Sequence, residues 1–312
     1  MTTFAQIKAA YRSGSIDKAA FVQAMYDGHA ALFDHGQHLK ECNIGEIRIT
    51  RDEVVAVFMD PPVTMVCPPM DARIAPIEAF NFGDYEHDEI QLVRQIVALL
   101  GGATVQFFDI GANAGFYSLA LSHYFPGITG VAFEPVPTTY AHLLRNFALN
   151  GVTRIVPRNC GLSQAPGELV FYTYPSQSGS SSMTRNVDSA DVQEVRCTVL
   201  KLDDYCAEHR AVIDFIKCDV EGAELFVFQG GAEVIRRDRP AIFTEMLRKW
   251  CAKYNYHPND IIAHFHAQGY GCFVVRAGRL EACDQVTPTT VETNFIFLHR
   301  EKHGSILATL TA

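Results

Sequence analysis

The sequence has few of the features that direct a protein to a nucleic acid, a membrane or an oxidising compartment. Its 312 residues include 26 lysines and arginines against 35 aspartates and glutamates, a formal net charge of −9. No surface rich in lysine and arginine is apparent, so we expect no partner bound mainly through phosphates. No apolar run approaches the roughly 18 residues that a membrane span needs, and no signal-peptide core is visible. We therefore expect a cytoplasmic protein without membrane contacts.

The cysteines and histidines form no recognisable disulfide or metal motif. Nine cysteines are present, no two of them are spaced as C-x-x-C, and most lie in apolar runs. An odd number of such residues is typical of free, buried thiols in a reducing compartment. His35 and His38, like His264 and His266, lack a neighbouring cysteine or carboxylate that would complete a metal site.

The chain is organised around residues 105–115, which read V-Q-F-F-D-I-G-A-N-A-G. The first six residues are β-prone and largely apolar, as in a strand buried on both faces. Gly111, Asn113 and Gly115 then tolerate positive φ or close backbone approach. Helical spacing begins at Phe116. A strand, a glycine turn and a helix form the first unit of a doubly wound α/β fold, where ligands bind at the turn.

Two acidic residues distinguish the kind of ligand. The spacing G-x-N-x-G lacks the third glycine of a dinucleotide site. Asp109 precedes the turn and would repel a phosphate but attract a positively charged ligand such as S-adenosylmethionine (SAM), which carries a sulfonium. Glu134, followed by Pro135, ends the next apolar strand, where a carboxylate suits ribose hydroxyls. The pair favours a SAM site over an ordinary tight turn with two solvated acids.

A second group of acids follows the strand at residues 213–218. Asp219 and Glu221 come directly after it, and Glu245 ends the next strand along the chain. Because carboxylates placed together repel one another, a role as proton acceptor or cation ligand explains them better than a structural turn does. We expect these three residues to supply the catalytic base. No metal is favoured, but the same three carboxylates would be its ligands.

The first 80 residues precede the strands and turns described above. We expect residues 1–80 to form an accessory region of helices and a small β-unit that acts as a lid, a brace or a homodimer surface. Residues 81–312 would form the catalytic domain. Asp84 is a candidate N-cap for a helix ending at Leu100, and Glu86 either lines the site or complements the helix dipole. The serine-rich residues 176–182 are either a linker or a closing loop.

Four motifs together resemble the FkbM family of SAM-dependent methyltransferases. They are F-F-D-I-G-A-N-A-G-F-Y-S-L, V-A-F-E-P-V-P, L-L-R-N-F-A-L-N and I-K-C-D-V-E-G-A-E, all within residues 82–250. The resemblance implies that Asp109 and the glycine turn surround the methionine part of SAM, that Glu134 binds the ribose, and that Asn159 and Ser163 lie near the adenine. The full set of expected cofactor-binding residues is Glu86, Asp109, Gly111, Asn113, Gly115, Glu134, Pro135, Asn159, Ser163 and Asp219.

The resemblance also implies a fold and a reaction. The fold is the Rossmann-like, seven-stranded class I methyltransferase fold, in which the last strand lies antiparallel between strands five and six. The reaction is O-methylation of a hydroxyl on a sugar, polyketide or other secondary metabolite, with S-adenosylhomocysteine as product. Two other functions stay open: an NAD(P)-dependent oxidoreductase on a Rossmann fold, and an inactive SAM-fold binding module.

Overall fold

A computed structural model describes residues 3–276 and 278–311. Its α-helices are α1 (Phe4–Arg12), α2 (Lys18–His38), α3 (Ala75–Phe82), α4 (His87–Leu100), α5 (Phe116–Tyr124), α6 (Pro137–Asn150), α7 (Leu202–His209), α8 (Glu224–Gly230), α9 (Ala232–Asp238), α10 (Arg248–Cys251), α11 (Pro258–His266) and α12 (Gly304–Leu310). Its strands are β1 (Ile44–Ile49), β2 (Val54–Phe58), β3 (Thr64–Val66), β4 (Gln106–Ile110), β5 (Thr129–Phe133), β6 (Ile155–Arg158), β7 (Gly161–Leu162), β8 (Gly167–Thr173), β9 (Gln193–Leu200), β10 (Phe215–Cys218), β11 (Ala241–Glu245), β12 (Tyr270–Arg276), β13 (Arg279–Ala282) and β14 (Asn294–His299). Within these residues, no helix has both the length and the apolar character needed to cross a bilayer.

Eight strands form the central sheet, in the order β13-β12-β14-β11-β10-β4-β5-β6. The five strands from β11 to β6 in this order pair in parallel. β14 lies antiparallel to both of its neighbours, β11 and β12. This arrangement confirms the predicted α/β fold, with the last strand antiparallel between strands five and six. β13 is an additional edge strand, paired antiparallel with β12.

The strand order places a crevice at β4. Along the chain, β4 is followed by β5 on one side in the sheet, whereas β10 lies on its other side. Connections that leave in opposite directions open a crevice at the carboxyl ends of the strands, which is where ligands bind in this class of sheet. The carboxyl ends of β4, β10 and β11 therefore meet at one edge.

Both faces of the sheet are buried, which explains why its strands are almost entirely apolar. Phe107 and Phe215 face a core that includes side chains of α4, α5, α6 and α12. Phe108 and Ile216 face a second core, built with α7, α8, α9 and α11. All nine cysteines are unpaired, and seven of them are buried, which confirms the prediction of free thiols.

Residues 42–79 share the first of these cores. Ile44, Phe58 and Met65 are almost completely buried in it. The three strands β1, β2 and β3 form a separate antiparallel sheet. The side-chain oxygens of Asn146 and Asn150, both on α6, accept hydrogen bonds from backbone N–H groups of β3 at 2.9 and 2.8 Å. This small sheet is therefore fastened to the face of α6.

Helix α2 differs from this sheet. None of its 21 residues is buried. Asp17 caps it, since the Asp17 carboxylate accepts a hydrogen bond from the Ala20 N–H at 2.8 Å. Phe21, Ala24 and Met25, which lie on one face of the helix, are only half-buried. The sequence predicts helices within residues 1–80 but not the extent of their packing.

The start of α4 corrects one prediction. The helix begins at His87, and its N-cap residue is Glu86, which has a left-handed backbone with φ of 48°. Asp84 is not the cap. Its carboxylate accepts hydrogen bonds from the Tyr85 N–H at 2.8 Å and from the Asn43 side-chain amide at 2.9 Å. The polar residue therefore bonds to the preceding loop, and the helix starts later than its sequence pattern indicates. Helices α3 and α12 were not predicted.

Candidate active site

A cavity of about 590 Å³ lies at the carboxyl edge of the central sheet, at the crevice beside β4. Its floor is formed by residues that follow β4, β5 and β10 and by the end of β11. One wall comes from the N-terminal part of the chain: Met65, Arg73, Ile74, Ala75, Glu78, Asp84, Tyr85 and Glu86. Another part of the wall comes from residues 177–181 and Met183. A volume of this size suits a small-molecule ligand.

The glycine turn is shaped by a close backbone contact. Gly111 has φ of +75°, and a Cβ at this position would lie 1.8 Å from the carbonyl oxygen of Asp219. Asn113 also has a positive φ, of 49°. Both residues line the cavity. Only glycine lets the turn after β4 approach the turn after β10 this closely.

Glu134 lies beside this turn and is held by two backbone donors. Its Oε2 accepts a hydrogen bond from the Asn113 N–H at 3.0 Å, and its Oε1 accepts one from the Val136 N–H at 2.9 Å. Only 6% of the residue is exposed, and it lines the cavity together with Pro135. Burial raises the pKa of Glu134 to about 7, although both hydrogen bonds oppose the rise. The carboxylate is therefore fixed in one orientation towards the ligand space.

Asp109 and Gly115 lie behind the cavity wall. The Ser118 hydroxyl donates a hydrogen bond to Asp109 Oδ2 at 2.6 Å, and the residue is fully buried. Burial raises the pKa of Asp109. At Gly115, a Cβ would lie 2.5 Å from Leu143 Cδ1, so this glycine lets α5 pack against α6. Both residues therefore support the glycine turn from behind, and their expected place around the methionine part of a cofactor stays a prediction.

Asn159 and Ser163, which we expect near the adenine, are not among the residues that line the cavity. The Asn159 side-chain amide donates hydrogen bonds to the carbonyls of Glu134 at 2.9 Å and Pro135 at 3.0 Å. The Ser163 N–H donates to the Leu200 carbonyl at 2.9 Å, and the residue is buried. Asn159 thus fixes the backbone of two residues that do line the cavity.

The three predicted catalytic carboxylates come together in the cavity. Asp219, Glu221 and Glu245 each place one oxygen within 4.8 Å of the others. Burial raises the pKa of Glu221 and of Glu245 well above the usual value, and the negative charges of neighbouring carboxylates, Asp219 foremost, raise it further. Adjacent strand ends therefore produce a cluster in which two carboxyl groups have an increased affinity for a proton.

The turn that carries Glu221 is held by its surroundings. Glu221 has φ of 56°, and its carbonyl accepts hydrogen bonds from the Ser182 hydroxyl at 3.0 Å and the Asn186 amide at 3.1 Å. Glu224 Oε1 accepts hydrogen bonds from the Val220 and Gly222 N–H groups at 3.0 and 3.1 Å. Within the described part of the chain, Glu221 Oε2 is buried and has no hydrogen-bond donor. The backbone of Glu221 is fixed, and one of its side-chain oxygens is left without a hydrogen bond.

Sequence reasoning missed one charged residue of the cavity floor. Lys217 lines the cavity, and its side chain is only 6% exposed. It lies on β10 two residues before Asp219, and its Nζ donates a hydrogen bond to Asp219 Oδ2 at 3.4 Å. The spacing of two residues at a strand end was the available signal. Glu86 lines the cavity nearby and accepts a hydrogen bond from the Tyr117 hydroxyl at 2.5 Å. Burial raises the pKa of Glu86, and the Tyr117 hydrogen bond opposes that rise.

The serine-rich segment forms part of the site. Both the N–H and the hydroxyl of Ser178 donate hydrogen bonds to Asp71 Oδ2. The Ala72 N–H donates to the Ser176 carbonyl at 2.9 Å. The segment therefore lines the cavity and bonds to the N-terminal part of the chain, which a flexible linker would not do. Its closing over a ligand stays a prediction.

The methyltransferase FkbM domain matches residues 109–272, slightly more than half of the chain. Methyltransferase 1 of Beauveria bassiana is 31% identical over 140 residues, which are 39% of this chain and 56% of that protein. The 31-O-demethyl-FK506 methyltransferase FkbM of Streptomyces tacrolimicus is 29% identical over 44% of this chain and 63% of its own length. The chain thus matches little more than half the length of these relatives.

Among solved structures, methyltransferase FkbM of Methylobacillus flagellatus is similar at 18% identity and a TM-score of 0.37, over 62% of this chain and 43% of that one. The match to the family itself includes the glycine turn, Glu134 and the turn that carries Asp219 and Glu221. The resemblance seen in the four sequence motifs is confirmed: the chain belongs to the methyltransferase FkbM domain family.

Proposed function

We propose that the protein is a SAM-dependent O-methyltransferase whose acceptor is a hydroxyl on a small molecule, such as a sugar or another secondary metabolite. The observation that carries the proposal is the cluster of Asp219, Glu221 and Glu245 on the floor of a cavity that also contains Glu134. Two relatives act on oxygen according to their names: the FkbM protein above, and 2-O-methyltransferase NoeI of Sinorhizobium fredii, 30% identical over 50% of this chain and 69% of its own length.

The charge of the cavity suits this cofactor. The wall contains seven acidic residues (Glu78, Asp84, Glu86, Glu134, Asp219, Glu221 and Glu245) and three basic ones (Arg73, Lys217 and Lys249). SAM carries one net positive charge, whereas a nicotinamide dinucleotide is an anion that this wall would repel. The excess of negative charge in the cavity wall therefore fits SAM and disfavours the alternative of an NAD(P)-dependent oxidoreductase.

Each floor residue has a part in binding. Glu134 would accept hydrogen bonds from the ribose hydroxyls, because its two oxygens keep unused lone pairs after bonding to the backbone. Gly111 and Asn113 would let the ligand approach the backbone closely. When bound, SAM supplies an electrophilic methyl group on its sulfonium, so the protein needs mainly to align the acceptor and remove its proton.

Proton removal falls to the acidic cluster. An alcohol is too weak an acid to be deprotonated in advance by a carboxylate, so the base must accept the proton as charge develops on the acceptor oxygen. Glu221 and Glu245 suit this role better than Asp219, because their pKa values are raised and Asp219 is paired with Lys217 at 3.4 Å. The same three carboxylates could instead hold a divalent cation that polarises the acceptor.

Calorimetric titration tests the cofactor directly. The wild-type protein is titrated with SAM and, separately, with NADH. We expect SAM to bind and NADH not to bind, and we expect Glu134→Ala to weaken SAM binding by about tenfold or more. Glu168→Ala is the matched control, because Glu168 is an exposed carboxylate on β8.

The outcomes separate the functions. Absence of SAM binding by the wild type would reject the methyltransferase proposal, and NADH binding would favour an oxidoreductase. SAM binding without conversion to S-adenosylhomocysteine on any of a panel of hydroxylated small molecules would favour an inactive binding module. Turnover is measured in EDTA as well: unchanged activity supports a carboxylate base, and a loss that magnesium restores supports the metal alternative.

A further inference from the structure

Lys217 is the only lysine or arginine that is buried among residues 3–276 and 278–311. It lies on β10, directly opposite Asp109 on the neighbouring strand β4. Its residue exposure is 5%, yet it contributes to the cavity floor. A charge that is buried at a ligand site has a high desolvation cost, so it needs partners or a ligand to compensate for that cost.

The partners of Lys217 use only part of its bonding capacity. Its Nζ donates hydrogen bonds to the Gly111 carbonyl at 3.0 Å and to Asp219 Oδ2 at 3.4 Å. A lysine ammonium has three N–H donors. In the described part of the chain the third donor has no acceptor, although the Tyr117 ring lies 5.3 Å from Nζ. One donor is therefore free at the cavity floor.

The ammonium keeps its charge in this setting. Burial alone would lower the pKa of Lys217, but the negative charges of Asp219, Asp109 and Glu86 raise it above the ordinary value. The other two cations of the cavity wall are placed differently. The Arg73 side chain is 63% exposed and paired with Glu78, and Lys249 Nζ lies 4.2 Å from the centre of the Trp250 ring.

We propose that Lys217 binds the carboxylate at the amino-acid end of SAM. This inference rests on the proposed function. An acid-rich wall would repel that carboxylate unless a cation faced it, and Lys217 is the cation at the glycine turn. Glu86 and Asp219 are negative charges near Lys217, and they are suited to bind the ammonium that lies beside the carboxylate at the same end of the ligand. The floor would thus recognise a zwitterion with one cation and two anions.

Binding by three related ligands tests this assignment. SAM has the carboxylate, decarboxylated SAM lacks it but keeps the sulfonium and the ammonium, and 5′-methylthioadenosine lacks the whole amino-acid end. Calorimetry gives the Kd of each for the wild type and for Lys217→Met. The Kd ratio of decarboxylated SAM to SAM should fall by about tenfold to a hundredfold in the variant, the range for a hydrogen bond between charged groups. The Kd of 5′-methylthioadenosine should not change.

Two further variants guard against a purely structural effect. Lys249→Met makes the same substitution at another cavity lysine and should leave the ratio unchanged. Lys217→Gln keeps a hydrogen-bond donor but removes the charge, and should lower the ratio even if Lys217→Met does not fold. The wild type alone should bind SAM at least as tightly as decarboxylated SAM, although the latter has the higher positive charge.

Several results would overturn the assignment. Equal weakening of all three ligands by the Lys217 variants would show that Lys217 only supports the turn. An unchanged ratio, or tighter wild-type binding of decarboxylated SAM, would show that the carboxylate is not recognised at Lys217. These results differ from failure of the proposed function, in which the wild type binds none of the three ligands.

Discussion

Glu134 and Glu221 are carboxylates at the same edge of the same sheet, but the protein holds them in opposite ways. Glu134 accepts one backbone hydrogen bond on each side-chain oxygen. Glu221 is fastened through its backbone carbonyl, and its Oε2 has no donor among the described residues. A group that must orient a ligand is best held by its side chain. A group that must accept a proton is best left with a free oxygen.

The largest expected effect is at the contact between the turn after β4, which orients Glu134, and the turn after β10, which carries Glu221. Gly111→Ala would place a Cβ 1.8 Å from the Asp219 carbonyl oxygen, so one turn must move away from the other. We expect a loss of about 4 kcal/mol or more in the free energy of unfolding, measured by urea denaturation. Gly151→Ala is the control, because Gly151 has a similar φ of +64° but no atom within 4 Å of the added Cβ. That variant should cost only about 1 kcal/mol. Equal stability of the two variants would contradict the close contact.

Removing the carboxylates of Glu221 and Glu245 tests whether they act on the reaction rate rather than on cofactor binding. In the double variant Glu221→Gln and Glu245→Gln, kcat should fall by about 10²- to 10⁴-fold, the usual contribution of a general base. The Kd for SAM should stay close to that of the wild type. The wild-type kcat should increase with pH until the raised pKa of the cluster is passed, because only the ionised carboxylate accepts a proton. A wild-type kcat in the double variant would exclude the cluster as the base.

The last expected effect is a pH dependence of the stability. It comes from Glu134 and Glu224, two carboxylates that accept backbone hydrogen bonds. Burial raises the pKa of Glu134 and of Glu224 to about 7 from 4.5. Between these values the folded state binds more protons than the unfolded state, so the free energy of unfolding should decrease as pH rises. The slope is at most about 1.4 kcal/mol per pH unit for each group. Urea denaturation between pH 4.5 and 7 measures it, and Glu224→Gln should reduce the slope. A free energy of unfolding that increases over this range would contradict the prediction.

The sequence predicted the site to the extent that the site depends on strand ends. The glycine turn, Glu134 and the cluster of Asp219, Glu221 and Glu245 each follow a buried strand, and adjacent parallel strands end at one edge. Their meeting in one cavity therefore follows from the order of strands, which the motifs of the family resemblance imply.

The remaining parts depend on contacts between distant segments. Lys217 keeps its charge while buried because Asp219, Asp109 and Glu86 lie near it, and Asp109 reaches it from the neighbouring strand. Asn159 turns its amide to the backbone of Glu134 and Pro135, and no local pattern distinguishes this from a ligand contact. The wall formed by Asp71 and Ser178 joins segments about a hundred residues apart, so sequence spacing carries no signal for it.

The two edges of the central sheet have a consequence for self-association. At one edge, β6 contains Pro157, which lacks the N–H that an added strand would need. At the other edge, β13 has only four residues, and two of them, Arg279 and Glu281, are charged. Short, charged or proline-containing edges discourage the pairing of one sheet with another. The edges of the central sheet thus discourage its growth into a fibre by the addition of strands.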